Sequence, residues 1–389
     1  YGKKQFVQEI KNCKRMTQFL TGIFVDQANA ALKMLARLRG DGINPEIDKA
    51  FLARTIQLLE QLHQDITKLI QSGDLEIPAL ASSTIVKYNT FTERLQTIEL
   101  FRYLVIINYG EPEKYFKKKI TRIYKEINCL QSEPIITTIS NSESYYWALP
   151  SYNIIAVPTG EEKNLLNLPD LYHEIGHLID KQHRADLRDG FLPTLDRFYR
   201  DGEQRVVDEQ RDPKLISFYR DKHASWLNGW IMEFTCDFIA TYLVGPAYAY
   251  TNLKISTLSS GKDRIYADFP SHPSDEARMR AVFYMLNQLG FNKEVKQINQ
   301  LWQAFLLSTK NPVPPNYGEI FPQVLIESLG QSVIKGCQKI DLRSYPEQLR
   351  KFDLPISKIL NEAWTEVLAN SPNYKDWEEQ KITAIGTII

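Results

Sequence analysis

Cysteine is scarce: the chain has four in 389 residues, at positions 13, 129, 236 and 337, and no two form a C-x-x-C pair. That scatter excludes a dense disulfide framework and a structural zinc held by thiolates, and it fits a reducing compartment, the cytoplasm. Net charge is absent as well, with 47 Lys and Arg against 47 Asp and Glu. No global field would therefore draw the protein to nucleic acid or to an anionic membrane. No uninterrupted apolar run is long enough to span a bilayer; the most apolar, Phe238 to Tyr250, is short and follows Glu233 and Asp237. Internal repeats and low-complexity linkers are missing too. What remains is the composition of a globular protein, 43% hydrophobic and 24% charged, long enough for two or three domains. The chain starts at Tyr1 rather than Met, so a preceding signal or anchor segment stays open.

Residues 1–133 read as a helical N-terminal domain. A pattern through Phe19, Ile23, Phe24, Leu32 and Leu35 stops at Gly40-Asp41-Gly42, a turn signal. Leu52, Ile56, Leu59, Leu62, Ile66 and Leu69 mark a long amphipathic helix, and another covers Phe91 to Ile107. A further helix carries Lys114, Lys117, Lys118, Lys119, Arg122 and Lys125; it is either a solvated face or a surface for an anionic partner. At Pro134 the pattern turns β-prone. Ile135–Ile139, Tyr145–Leu149 and Ile154–Pro158 are separated by turns at 141–144 and 150–153, which predicts a three-strand meander. Its last strand is a candidate edge that would hold an extended peptide, or else is purely structural. A charge-rich stretch, about 181–222, is an insertion that forms either a lid or a solvated loop or helix. Residues 291–389 are helical again. The N- and C-terminal helical regions offer surfaces for a protein partner.

Between strands and insertion lies Leu168–Asp180, L-P-D-L-Y-H-E-I-G-H-L-I-D. It contains His173-Glu174-Ile175-Gly176-His177, the H-E-x-x-H pattern. On a helix, residues four apart share a face, so both imidazoles can reach one divalent ion, while Glu174 can hold a water beside it. Zinc needs one more protein ligand. Glu233 and Asp237 are the only acids in Trp226–Gly245, an otherwise apolar helical run, and their spacing puts them on one face. Buried carboxylates require a cation or donors. Either Glu233 is the third ligand and Asp237 accepts a hydrogen bond from a ligating imidazole, or both acids pair with arginines from 184–220. His63, His183 and His223 read as surface or packing residues.

H-E-x-x-H followed by E-x-x-x-D on a second helix resembles the gluzincin class of zinc metallopeptidases. Glu233-x-x-x-Asp237-x-x-Ala240, Gly245-Pro246-Ala247, Ser271-His272-Pro273 and the later Arg278 and Arg280 are similar to its CAAX prenyl protease and membrane heat-shock protease branch, without the membrane helices of that branch. The resemblance covers roughly residues 135–285. It implies a zincin-like catalytic core over 134–290, inside a mainly α chain with a small β-meander (α+β). It implies zinc held by His173, His177 and Glu233, with Asp237 behind a ligand and Glu174 as general base for hydrolysis of a peptide or protein substrate. The first candidate for stabilising the oxyanion is His272, followed by Tyr248 and Tyr250; alternatively His272 caps or packs the helix that begins near Ser274. Two other functions compete: a catalytically idle zincin scaffold serving interaction or regulation, and a metal-dependent hydrolase of a non-peptide amide.

Overall fold

The computed structural model describes residues 2–77, 80–129, 132–140, 146–158, 160–258, 265–267, 269–309 and 311–387. It is mostly helical with a small three-stranded sheet. No helix among these residues is long and apolar enough to cross a membrane. Two compact units form, residues 1–114 with 136–139, and residues 115–135 with 140–389. The division falls inside the lysine-rich helix.

In the first unit, α1 (Gly2–Arg39) packs along α2 (Lys49–Gln71) and ends at the expected glycine turn. Asp48 caps α2 by accepting the Phe51 N–H at 2.6 Å. The buried face of α2 is Phe51, Thr55, Leu59, Leu62, Ile66 and Leu69, nearly the periodic set read from the sequence. The next helix starts ten residues earlier than Phe91: α3 (Ala81–Ile98) runs through a π-helical turn, Glu99–Tyr103, into α4 (Leu104–Ile107). That turn includes the buried Arg102, which donates to Thr55 Oγ1 at 3.0 Å and stacks on Phe51.

The lysine-rich helix is α5 (Glu111–Ile127). The strands follow as β1 (Ile135–Ser140), β2 (Trp147–Leu149) and β3 (Ile154–Pro158). Their order in the sheet is β1-β3-β2, with β2 antiparallel to β3 and Ala148 opposite Ile155. The sheet is therefore not a simple meander, and the last strand is its centre, not its edge. All five β3 residues are buried. The physical reason is visible in the sequence: Ile-Ile-Ala-Val-Pro does not alternate with polar residues, as a strand buried on both faces does not. Of the two edges, half-buried β2 is the one against the H-E-x-x-H helix. The expected turn at 141–144 and Tyr145 lie outside the described residues.

The second unit continues with α6 (Asp170–Leu187), α7 (Phe191–Asp208), α8 (Lys214–Ser225) and, after a π-helical turn at Trp226–Trp230, α9 (Ile231–Val244). The charge-rich stretch is thus the end of α6 and a packed helical pair, with Phe191, Leu195, Tyr199, Val206 and Tyr219 buried. There follow α10 (Pro246–Leu258), α11 (Asp275–Gln288), α12 (Asn292–Thr309), α13 (Tyr317–Ile320), α14 (Gln323–Lys339), α15 (Tyr345–Lys351), α16 (Ile356–Asn370) and α17 (Tyr374–Thr387). The core is α9, in which every residue but Met232 is buried. Helices α6, α10, α11, α14 and α16 surround it.

The α6–α9 contact is backbone-close. A Cβ on Gly176 would stand 3.1 Å from Cys236 Cα and 3.3 Å from its carbonyl oxygen, so the glycine inside H-E-I-G-H lets the two helices meet. Gly176→Val is expected to destabilise the protein by about 1–3 kcal/mol through overpacking. Gly22→Ala, on an open helix face, should stabilise it by about 0.5–1 kcal/mol. Urea unfolding of both variants checks the pair.

Candidate metal centre

Helix α6 brings His173 and His177 onto its α9 face, with ring centroids 4.8 Å apart. Facing them, Glu233 sits in the first turn of α9. It offers one oxygen to each imidazole: Oε2 lies 3.4 Å from His173 Nε2 and Oε1 lies 3.7 Å from His177 Nε2. Ligands at about 2.0–2.1 Å around a tetrahedral ion stand about 3.3–3.4 Å apart, close to the first of these separations and a little under the second. Cys236 is a further donor; one ligand atom from each of His173, His177 and Cys236 lies within 4.8 Å of the others, and this buried group can hold a metal ion. Glu233 and Cys236 thus both stand beside the two imidazoles as candidate third donors. The Cys236 thiol is fully buried and its pKa is pushed well up by that burial, with Glu233 and Asp180 adding to it.

Behind His173 lies a second set of contacts. Asp237 Oδ1 is 3.0 Å from His173 Nδ1, so Nε2 is the nitrogen turned to Glu233. Arg278, from α11, grips Asp237 with two hydrogen bonds, Nε to Oδ2 at 2.8 Å and Nη2 to Oδ1 at 2.6 Å. Tyr248, from α10, donates to Asp237 Oδ1 at 2.5 Å and lies 3.1 Å from His173 Nδ1. The α9–α10 reversal that brings Tyr248 back requires Gly245, at φ +70° with the Tyr345 ring against it.

The arginines of the charge-rich stretch go elsewhere. Arg188 and Arg184 pair with buried Asp180, at 2.6 and 3.2 Å. The carboxylates of α9 are therefore balanced by Arg278 and His173, not by residues 184–220.

Electrostatics follow from burial and these contacts. Burial would raise the Asp237 pKa, but Arg278 and His173 outweigh it and hold the carboxyl below its usual range. Burial opposes ionisation of Glu233 too, yet the hydrogen bond and charge of His173 bring it down to about 2. His173 is opposed by burial but held by Asp237 and Glu233, reaching about 10; a cation bound between Nε2 and Glu233 would displace that proton. His177 is lowered to about 4 by burial and by His173. Glu174 is buried and pushed up to about 8, mainly by desolvation, so without a cation beside it the carboxyl is mostly protonated near neutral pH.

His272 stands at the rim. Its side chain is 60% exposed, with Nε2 3.9 Å from Glu233 Oε2 and Nδ1 2.9 Å from Ser271 Oγ. Its segment is pinned to the π-helical turn, since Trp230 Nε1 donates to Phe269 O at 2.7 Å and a Cβ on Gly229 would lie 2.6 Å from Ser271 O. The α11 cap is Ser274, whose Oγ accepts the Ala277 N–H at 3.3 Å. Tyr250 lies apart, stacked on Trp364. His183 and His223 face Asp186 and Asp196. Cys236 and the Tyr248 contact went unread in the sequence. The glycine between the two histidines was the available signal for close approach to α9; nothing local marks Tyr248.

Comparison with known proteins yields no match to a family model, a curated protein or a solved structure.

Two outcomes are expected. Glu233→Ala should lose most bound metal by elemental analysis, whereas Cys236→Ala should keep it; the reverse would make the thiol the third ligand. Asp237→Ala should destabilise the fold by about 3–5 kcal/mol in urea unfolding, because it leaves the Arg278 guanidinium without its carboxylate.

Proposed function

We propose that the chain is a zinc-dependent peptidase of the gluzincin type. The observation that carries this reading is the bracketing of both H-E-x-x-H imidazoles by the two oxygens of Glu233. Two imidazoles and a carboxylate are the protein donor set of a catalytic zinc site rather than of a thiolate-rich structural one. Zinc bound there supplies Lewis acidity, which lowers the pKa of a water to about 7 and polarises a carbonyl.

The remaining work belongs to the chain. His173, His177 and Glu233 would hold the ion, and Asp237, Arg278 and Tyr248 hold the His173 ring from its Nδ1 side. Glu174, adjacent to His173 in sequence and buried, takes the proton of the attacking water and passes it to the leaving amine. His272 is the side chain at the exposed rim beside Glu233, which suits it to donate to the charge that develops on the carbonyl oxygen. Tyr248 is committed to Asp237 behind the ligand and Tyr250 is stacked elsewhere, so neither takes that role. A peptide substrate is favoured because the sheet edge beside α6, β2, has one side unpaired by strands among the described residues; an extended chain can lie along such an edge.

Glu174→Gln is expected to keep the zinc and the fold while lowering hydrolysis of an unstructured protein substrate by about 100-fold or more. Elemental analysis and cleavage of denatured casein read the two halves. Undiminished cleavage by the variant would remove Glu174 from the mechanism.

A further inference from the structure

Helix α5 carries six basic side chains, and the structure disposes of most of them. Lys114 pairs with Glu46 and Glu111, and Lys117 with Glu133. Lys119 is fully buried against the Tyr115 and Phe116 rings. Arg122 is occupied by Glu126, at 2.7 Å, and by Leu354 O. Glu126 in turn accepts the Ile356 N–H at 2.8 Å. Lys118 and Lys125 are left, exposed and without an ion pair among the described residues.

These two lysines stand over a concavity. A pocket of about 640 Å³ opens between α5 and the segment after α15, lined by Lys118, Thr121, Lys125, Lys351, Phe352 and Leu354, with the Arg122–Glu126 pair and Asp353 completing it. That volume is of the size that holds a small molecule. Lys351, also exposed and unpaired, enters from the end of α15. The Arg122–Glu126 pair is neutral as a whole. Three ammonium groups therefore line the pocket with Asp353 as the lining carboxylate outside the Arg122–Glu126 pair, while Glu133 acts on Lys125 from outside the pocket, in a protein with no net charge.

We propose that this pocket binds an elongated small anion with two phosphate groups and a neutral, partly apolar body. Lys118 and Lys125 are two helical turns apart on one face, so their charges are spaced by about 10 Å along the axis. Phe352 and Leu354 line the pocket as apolar surface. Phosphate is favoured over carboxylate because an ammonium acts as a point charge without the planar fork that matches a carboxylate, and the one guanidinium present is already engaged. The pairing of Lys114 and Lys117 with acids breaks the basic face into an isolated patch, unlike the continuous track that a nucleic-acid backbone follows. The site stands independently of the hydrolase reading.

The test is calorimetric titration of the purified protein with a hexose 1,6-bisphosphate at low ionic strength, with inorganic phosphate in parallel and metal content measured before and after. Saturable binding of the bisphosphate, tighter than that of inorganic phosphate and with metal content unchanged, is expected. Lys118→Glu and Lys351→Glu should each weaken it about ten-fold or more. Lys293→Glu, which changes net charge equally at an exposed position outside the pocket, should leave it unaltered. No binding, equal affinity for inorganic phosphate, or equal weakening by all three variants would overturn the proposal. Thermal unfolding of each variant checks that the fold is intact.

Discussion

A carboxylate ionised at the centre of an apolar helix cannot stand alone. Asp237 has no exposed surface, and its charge persists because Arg278, Tyr248 and His173 converge on its two oxygens. These partners come from α11, α10 and α6, so a single buried charge fixes three helices around a fourth. Removing any partner leaves others desolvated and unmatched, which makes the arrangement cooperative. The orientation of His173, and with it the place of the candidate metal, follows from this balance rather than from the H-E-x-x-H segment alone.

The close approach of α6 and α9 is the steric counterpart of that balance. Gly176 removes the one side chain that would hold the helices apart, and Cys236 packs its backbone into the space. Glu233, three residues before Cys236, then falls between the two imidazoles. Gly229 repeats the device one turn before α9, where the backbone of Ser271 is seated so closely that His272 must stand near Glu233. Donor atoms from three separate segments thus meet because two positions carry no Cβ.

Local pattern made parts of this visible in advance. The i, i+4 spacing of His173 and His177, and of Glu233 and Asp237, depends only on helix geometry. The stop of α1 at Gly40–Gly42 and the buried stripe of α2 are likewise local. The pairing of Asp237 with Arg278 was a different matter: arginines near 184–220 were equally available by composition, and only the packing of α11 on α9 chooses between them. Three β-prone segments in succession suggest a meander, whereas the uniform apolarity of Ile154–Pro158 is the mark of the central strand that the sheet order shows. The division into units inside α5 has no local signature, since the helix itself is continuous.

The long excursion between the two donor helices has a mechanical side. About sixty residues, including the whole of α7 and α8, lie between His173 on α6 and Glu233 on α9. A cation gripped by both helices ties the ends of that excursion together, as a covalent cross-link would. By the chain-entropy relation for such closures, fixing a loop of this length removes about 4 kcal/mol of freedom from the disordered chain. An ion bound there would be a rivet, and its withdrawal would loosen the α7–α8 hairpin at its root.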